Sequence, residues 1–281
     1  MASDTGLTAV ALGLASAATW GVGDFSGGLA TRRTPVLVVT LLSQVAGISF
    51  LAAFAVARAE ARLAVADAAW GALAGVLGLI GLVCLYRAMA IGQMGLAAPV
   101  TGVLSAGLPV VAGALIQGWP GPRHLVGFGL ALTGIGLLSK TPAGRPRPVG
   151  LGLAVAAGVG FGGFLVSIAQ VRESAVFWPL AAARAASLVV LGFLILVRRE
   201  PVRPSRGALG LIGLAGTMDA SGNALFVLAE QAGRLDVAGT LASLYPAITV
   251  LLALVVLRER FTRTQTLGLF VALTAVPLLG G

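Results

Sequence analysis

The sequence predicts an all-α integral membrane protein, and three observations lead to that fold class. Hydrophobic residues fill 58% of the 281 positions, 40 more are glycine, and only 10% are charged. A soluble domain could not cover so much apolar surface. The apolar residues form continuous runs instead of alternating with polar ones, which favours helices over the strands of a membrane barrel. The runs are also long enough to cross a hydrocarbon core of about 30 Å.

Ten apolar runs are predicted as transmembrane helices. The breaks between them, such as VRESA and RERFTR, are too short to fold separately, so one membrane domain is expected. Gly71 and Gly75 form one of several Gly-x-x-x-Gly pairs that let neighbouring helices pack closely. The predicted helices 1 to 10 are Leu7–Ala30, Pro35–Ala57, Ala68–Ala90, Leu96–Gln117, Leu125–Ser139, Val149–Gln170, Val176–Val197, Gly207–Ala229, Val237–Leu257 and Thr264–Leu279.

The charge of the chain indicates contact with lipid headgroups and not with nucleic acid. The net charge is +9, but the basic residues lie mainly in the short breaks and not along one polar face. Cys84 is the single cysteine, which excludes an intramolecular disulfide. His124 is the single histidine and is predicted to lie in a surface loop. We therefore expect no metal site and no cofactor.

The chain contains one pattern twice. The segment LGLASAATWGVGDF, beginning at Leu12, matches LGLAVAAGVGFGGF, beginning at Leu151, at 9 of 14 positions. The segments GFGLALTGIGLL and GLFVALTAVPLL match at 6 of 12 positions, and Pro109 corresponds to Pro246. The three offsets are 139, 141 and 137 residues, so the matches are colinear.

The duplication predicts two five-helix repeats of opposite orientation. Five is an odd number, so the second repeat, residues 141–281, must enter the membrane from the face opposite to the first repeat, residues 1–140. Inverted repeats are typical of secondary transporters, which bind solute near the midplane and open to each side in turn. Duplication for structural economy alone is the alternative.

Several motifs recur in one known group of transporters. They are WGVGDFSGG in helix 1, YRAMAIGQMGLAAPV at the end of helix 3, an arginine embedded in helix 7, DASGN in helix 8, and SLYP with RERF in helix 9. Together they resemble the drug/metabolite transporter superfamily, and specifically its ten-helix EamA-type exporters. The first repeat departs from the pattern, because LPVVAGALIQGWPGPRH lacks the glutamate-arginine pair of RERF. The resemblance implies export of small organic metabolites or drugs, with amino acids as one class, across the inner membrane.

Two charged residues lie inside the predicted hydrophobic helices. Arg184 is eight residues into helix 7 and Asp219 is ten residues before the end of helix 8, so both are expected near mid-membrane. Asn223 lies one turn from Asp219 on the same face. Since an ion in hydrocarbon costs at least about 2.5–3.5 kcal/mol, each charged group is expected to face protein or a wet cavity. The cluster is therefore the first candidate for the substrate-binding site. Three roles are open: a structural ion pair, an arginine that receives a substrate carboxylate, or an aspartate that exchanges a proton or cation.

Four further residues are candidates for the cavity or its gates. Trp20 is either an aromatic wall of the cavity or a packing residue. Gln44 and Ser243 either face the cavity or bond to a neighbouring helix. Asp24 is predicted near the far end of helix 1, where it either anchors the helix or pairs, as a gate, with an arginine across the repeat interface.

Prolines mark related places in helices 4 and 9. Pro246 frees a backbone carbonyl one turn earlier, and the neighbouring Tyr245 carries a phenol that needs a partner when it is buried. Tyr245 is therefore a candidate binding residue. Pro109 and Pro246 are interpreted either as paired hinges or as static kinks.

The basic residues also bear on orientation. Loops on one face of the predicted bundle hold 13 lysines and arginines, whereas the face with both termini holds 5. The positive-inside rule then places the termini outside, while the resemblance implies cytoplasmic termini. A reporter fused to the C-terminus decides between them.

The leading functional hypothesis is a secondary carrier and not an enzyme. The sequence has no Walker motif that could couple ATP, so a proton or a counter-substrate is the expected source of energy. Ten helices can enclose a pathway in one chain, so a monomer is expected, with a small organic solute and the lipid bilayer as partners. A passive channel, a regulatory membrane subunit and a membrane-embedded lipid enzyme are the alternatives, the last with few residues suited to catalysis.

Overall fold

The computed structural model of the chain is a bundle of helices. It describes residues 2–61, 63–91, 94–138, 150–172, 174–257 and 262–279, and within them the regular elements are all helical. A single 3₁₀ turn, Arg206–Ala208, precedes α8. The α-helices are α1 (Ala2–Ala30), α2 (Val36–Ala57), α3 (Val65–Ile91), α4 (Met94–Ile116), α5 (Pro122–Leu138), α6 (Leu151–Ile168), α7 (Phe177–Arg198), α8 (Leu209–Ala232), α9 (Leu235–Ala242), α10 (Tyr245–Leu257) and α11 (Arg263–Leu279).

The helices lie where the apolar runs predict them, with ends displaced by a few residues. Shorter apolar helices cover Thr101–Ile116 and Gly152–Ile168. Within the described residues, six segments are long and apolar enough to cross a membrane, namely Gly6–Ala30, Val36–Ala57, Val65–Ile91, Phe177–Arg198, Arg206–Ala232 and Leu235–Leu257.

The outer face of the bundle is apolar. Val56, Val189 and Leu196 are 69%, 73% and 77% exposed, respectively. Large exposed apolar patches are unfavourable in water and are satisfied by lipid tails. This surface therefore agrees with the membrane location that the composition predicts.

The predicted helix 9 consists of two helices. α9 ends at Ala242 and α10 begins at Tyr245, so the chain turns at Ser243 and Leu244. Pro246 lies in the first turn of α10, where its missing N–H costs no helical hydrogen bond. By contrast, α4 continues as helix through Pro109. The two related prolines therefore do not mark paired interruptions.

Close helix contacts occur where the Gly-x-x-x-Gly pattern predicts them. A methyl group placed on Gly75 would overlap the carbonyl oxygen of Ala183, and one on Gly71 would overlap that of Pro179. These contacts join α3 to α7. The prediction of close packing at this pair is confirmed.

Helices from the two halves of the chain are interleaved. α1 runs antiparallel to α8, since Ala9 lies beside Gly233 and Gly23 lies beside Ala215. α3 runs antiparallel to α6, and α5 packs against α11. The α2–α7 and α4–α9 pairs are also antiparallel, as four bonds or contacts show: Gln44 with Arg184, Glu60 with Phe177, Ser105 with Ser243, and Gly113 with Asp236.

Candidate functional site

A cavity lies inside the bundle between helices of both halves. It comprises about 600 Å³ of empty space, including the part that is continuous with solvent. Seven residues predicted for the site line it, namely Trp20, Asp24, Gln44, Arg184, Asp219, Asn223 and Tyr245.

An ion pair occupies one wall of the cavity. Arg184 Nη2 donates to Asp219 Oδ2 at 2.5 Å, and Arg184 Nη1 donates to Gln44 Oε1 at 2.6 Å. The Arg184 side chain is 7% exposed and that of Asp219 is 19% exposed. Both partners are thus held away from bulk water, where charge-assisted hydrogen bonds are strong. Gln44 lines the cavity and also bonds to Arg184 of a neighbouring helix, so it meets both of the alternatives considered for it.

A second hydrogen bond fixes the aromatic wall. Trp20 Nε1 donates to Asn223 Oδ1 at 2.8 Å and lies 3.3 Å from the backbone oxygen of Asp219. The Trp20 ring also stacks on Phe226, with 6.1 Å between centroids, and meets Tyr245 edge-on at 6.4 Å. Asn223 therefore fixes the position of the indole, which lines the cavity.

Two polar groups of the wall have no bonding partner in the described part of the chain. Asp24 is 6% exposed and lines the cavity, and no described group donates a hydrogen bond to its carboxylate. It therefore faces the cavity and does not pair there with an arginine. The hydroxyl of Tyr245 is buried and also lacks a partner among the described residues. Both residues line the cavity.

The remaining predicted site residues lie behind the wall. Ser243 Oγ is 3.3 Å from Ser105 Oγ, and it is Ser105 that lines the cavity. Pro246 packs into the space left by Gly102, and Pro109 packs into the space left by Gly239. The two prolines thus make reciprocal contacts between α4 and the α9–α10 pair. The RERF motif, residues 258–261, lies outside the described residues.

Part of the cavity wall was not predicted from the sequence. Phe161 and Phe164 of α6 line it, and so does Ser187 of α7, one turn from Arg184. The two phenylalanines lie in VGFGGF, which the internal match aligns with the WGVGDF that contains Trp20 and Asp24. Because WGVGDF was predicted to contribute residues to the site, its equivalent in the second repeat indicates Phe161 and Phe164 as candidates too.

Two further buried acids are paired outside the cavity. Asp67 is 2% exposed and accepts a 2.7 Å hydrogen bond from Arg172 Nε. Asp236 is fully buried and bonds to Arg234 Nε at 3.0 Å, a hydrogen bond that raises the pKa of the guanidinium. These pairs lie at the ends of helices and do not contribute to the cavity.

His124 was predicted in a loop, and this is wrong. It lies in the first turn of α5, half-buried, with its ring 6.4 Å from that of Phe128. Pro122 begins this helix, which the apolar run had placed at Leu125. Among the residues described, no group of three His, Cys, Asp or Glu side chains could hold a metal ion.

Comparison with known proteins identifies the family. The profile of the EamA-like transporter family matches the chain twice, at residues 7–140 and at residues 148–281. The chain belongs to the EamA-like transporter family. This EamA-like transporter is therefore a multi-pass membrane protein, and the predicted family membership is confirmed.

The fold of this EamA-like transporter is shared with a solved structure. The description of that structure reads only "Crystal structure of protein", and it has a TM-score of 0.73 and 18% identity. The match covers 96% of this chain and 97% of the other. No curated protein matches the sequence.

Trp20 is expected to report the entry of solute into the cavity of this EamA-like transporter. A solute that reaches the cavity changes the surroundings of the indole, so its emission should change. Replacing Trp20 by Phe should remove that response and weaken binding about tenfold, since a stacking surface and a hydrogen bond are lost. Replacing Trp119, which is 84% exposed, should leave the response intact. The check is a fluorescence titration in detergent with L-phenylalanine and, separately, tetraphenylphosphonium; a response carried by Trp119 would contradict the prediction.

Proposed function

We propose that this EamA-like transporter is a secondary carrier that exports small organic solutes across the inner membrane by alternating access. The observation that carries the proposal is the Arg184–Asp219 pair facing a cavity inside the bundle. Charged groups at membrane depth are costly and mark solute or ion pathways. Family membership and the mixture of aromatic, polar and charged side chains that line the cavity agree with a small organic solute.

Contacts between equivalent positions support an inverted repeat. Gln44 and Arg184 are 140 residues apart, and Ser105 and Ser243 are 138 apart, close to the offsets of the internal matches. Two equivalent residues that touch each other must lie beside the axis that relates the repeats. Because α2 is antiparallel to α7, that axis lies in the membrane plane and not along the membrane normal. We therefore assign residues 1–140 and 141–281 to two five-helix repeats, with α9 and α10 together as one membrane-spanning helix of ten.

The position of the cavity on this axis supports alternating access. Gln44, Arg184 and Ser105 all line it, so the same groups can be approached from either face. When the two repeats rock about this axis, the cavity opens to one side and then to the other. One chain supplies both halves of the pathway, so the functional unit we propose is a monomer.

Each charged group has a distinct role in the proposal. Arg184 receives a carboxylate of the solute, because guanidinium offers a planar fork of donors. Asp219 is its resting partner, which the solute displaces. Asp24 has no bonding partner among the described residues and can take up a proton or the cationic group of an amino acid. Asn223 and Trp20 position the apolar part of the solute.

Counterflow in proteoliposomes tests the function. Vesicles loaded with unlabelled solute are diluted into a trace of labelled solute, using sets of amino acids, other carboxylates and organic cations at several pH values. A carrier accumulates label transiently, because internal solute returns the binding site to the outside. Label that only equilibrates would indicate a channel, and no movement beyond that in empty liposomes, for any of the sets, would refute the proposal.

A further inference from the structure

The Glu60 carboxylate caps the N-terminus of α7, a helix in the other half of the chain. Its Oε1 accepts hydrogen bonds from the backbone N–H groups of Val176 and Phe177, the latter at 3.0 Å. Its Oε2 accepts from Phe177 at 3.0 Å and from Trp178 at 2.8 Å. The first N–H groups of a helix have no partner within the helix, and a negative charge there is favourable. The residue at the N-cap of α7, Val176, makes no cap of its own.

The end of the bundle that holds this contact is bonded between the two halves at other points. Asp67 pairs with Arg172 through Nη2 at 2.7 Å. The side chain of Gln117 accepts a 3.0 Å hydrogen bond from the N–H of Leu235. We call this the Glu60 end. At this end, hydrogen bonds therefore join segments of both repeats at three places.

The second repeat carries the same glutamate on the same turn. Glu200 follows α7 as Glu60 follows α2, at an offset of 140 residues. Ala59 and Arg199, which precede them, have φ values of 47° and 51° and are the non-glycine residues with positive φ in the described part of the chain. The N–H of Glu60 bonds to Ala55 at 3.0 Å, and the N–H of Glu200 bonds to Ile195 at 3.1 Å. The local backbone therefore presents both carboxylates in the same way.

The helix that corresponds to α7 in the first repeat is α2, and its N-terminus has no side-chain cap. Its N-cap residue, Pro35, makes no side-chain hydrogen bond, and its first turn has no acidic residue. The loop that carries Glu200 already touches this place, because the N–H of Ser205 donates to Thr34 Oγ1 at 3.2 Å. Yet the carboxylate of Glu200 accepts no hydrogen bond from any described residue. One of two equivalent caps is formed and the other is not.

We propose that Glu60 and Glu200 are alternating latches of the transport cycle. Glu60 caps α7 while the Glu60 end is closed, and Glu200 caps α2 while the opposite end is closed. The inference rests on the alternating access proposed above. In an inverted-repeat carrier the second access state arises when each repeat takes up the arrangement of the other, so a contact made by one repeat returns as its symmetry mate. Each latch then sets the population of its own state.

Accessibility from the two sides tests the exchange. Cys84 is replaced by Ser, and Ser105, which lines the cavity, is replaced by Cys as the reporter. A membrane-impermeant trimethylammonium methanethiosulfonate is applied to right-side-out and inside-out vesicles. Glu60→Gln should raise the ratio of labelling through the Glu60 end to labelling through the opposite end by about tenfold, and Glu200→Gln should lower that ratio by about as much. The double variant should return close to the parent ratio.

Matched controls separate the latch from a general effect of charge. Arg58 and Arg198 are exposed and lie two residues before each glutamate. Arg58→Gln and Arg198→Gln change the charge by one unit at the same places and should leave the ratio within about twofold. Shifts as large as those of the glutamate variants would overturn the proposal.

Hydrogen exchange supplies a second readout that a purely structural cap would not produce. Glu60→Gln favours the access state in which Glu200 caps α2. The amides of Val36 to Val38, at the opposite end of the bundle, should then become better protected from hydrogen exchange. If protection there is unchanged and is lost only at residues 176–178, Glu60 is only a local cap, and the proposal of alternating latches is overturned.

The failure of the latches differs from the failure of the transport mechanism. If the parent cavity is labelled from one side only, alternating access itself fails, and the latches with it. If it is labelled from both sides but the two glutamate variants shift the ratio in the same direction, or Glu200→Gln has no effect, only the latch assignment is wrong.

Discussion

Arg184→Gln is expected to reduce transport of carboxylated solutes by at least about 100-fold while organic cations retain transport within about tenfold. The variant removes the guanidinium that faces the cavity and leaves Asp219 and Asp24 as two acids without a basic partner in the cavity. A carboxylate then meets repulsion in place of a fork of donors. Counterflow with matched carboxylate and cation solutes measures the difference.

Control variants separate recognition from folding. Breaking a buried ion pair costs about 3–5 kcal/mol, and the partial exposure of Asp219 reduces that cost here. The double variant Arg184→Gln, Asp219→Asn removes both charges and should recover the thermal stability but not carboxylate transport. Asp219→Asn alone frees Arg184 and should strengthen carboxylate binding about tenfold. Equal loss of carboxylate and cation transport in a stably folded Arg184→Gln protein would refute the carboxylate role.

Gly75→Val is expected to lower the free energy of unfolding by about 3 kcal/mol or more. A side chain at this position would overlap the backbone of Ala183, which cannot move aside as a flexible side chain can. The same arrangement recurs between Gly216 and the carbonyl of Ser43, where α8 meets α2, so Gly216→Val should behave alike. For a chain of this size, such a loss lowers the thermal midpoint in detergent by roughly 6–12 °C.

Gly192→Ala is the matched control for the packing prediction. Gly192 is also helical, but a Cβ there would have no neighbour within 4 Å. Replacing a helical glycine by alanine without a clash stabilises by about 0.4–1 kcal/mol. If Gly75→Val and Gly192→Ala gave the same midpoint, close approach of α3 and α7 would not contribute to stability.

Much of the helical framework follows from the sequence because the information is local. Continuous apolar runs and charged breaks locate the helices to within a few residues. The internal match and the polar residues at membrane depth then point to the right part of each helix, so that Arg184, Asp219 and Trp20 all face one cavity. Two features of local chemistry were still misread. Pro122 begins α5 earlier than the apolar run suggests, and helix 9 is interrupted at Ser243.

The rest could not be predicted because it depends on which distant segments meet. Glu60 lies 117 residues from Phe177 and accepts a hydrogen bond from its backbone N–H. Nothing near either residue in the sequence indicates this contact. Asp67 and Arg172 read as ordinary loop charges until the helices pack. Asp24 was expected to anchor helix 1 or to pair with an arginine, yet in the packing of α1 against α8 it lines the cavity. Sequence spacing fixes depth along a helix but not the direction that a side chain faces.

The pairing of Gln44 with Arg184 joins two positions that correspond in the proposed repeats but carry different side chains. The axis that relates the proposed repeats does not map a neutral amide onto a guanidinium. Exchanging the arrangements of the two repeats therefore changes the energy of this contact. Under the alternating access proposed above, this pair therefore contributes to a difference in energy between the two orientations of the empty protein. A backbone arranged as two equivalent halves thus carries beside its axis two side chains that are not equivalent.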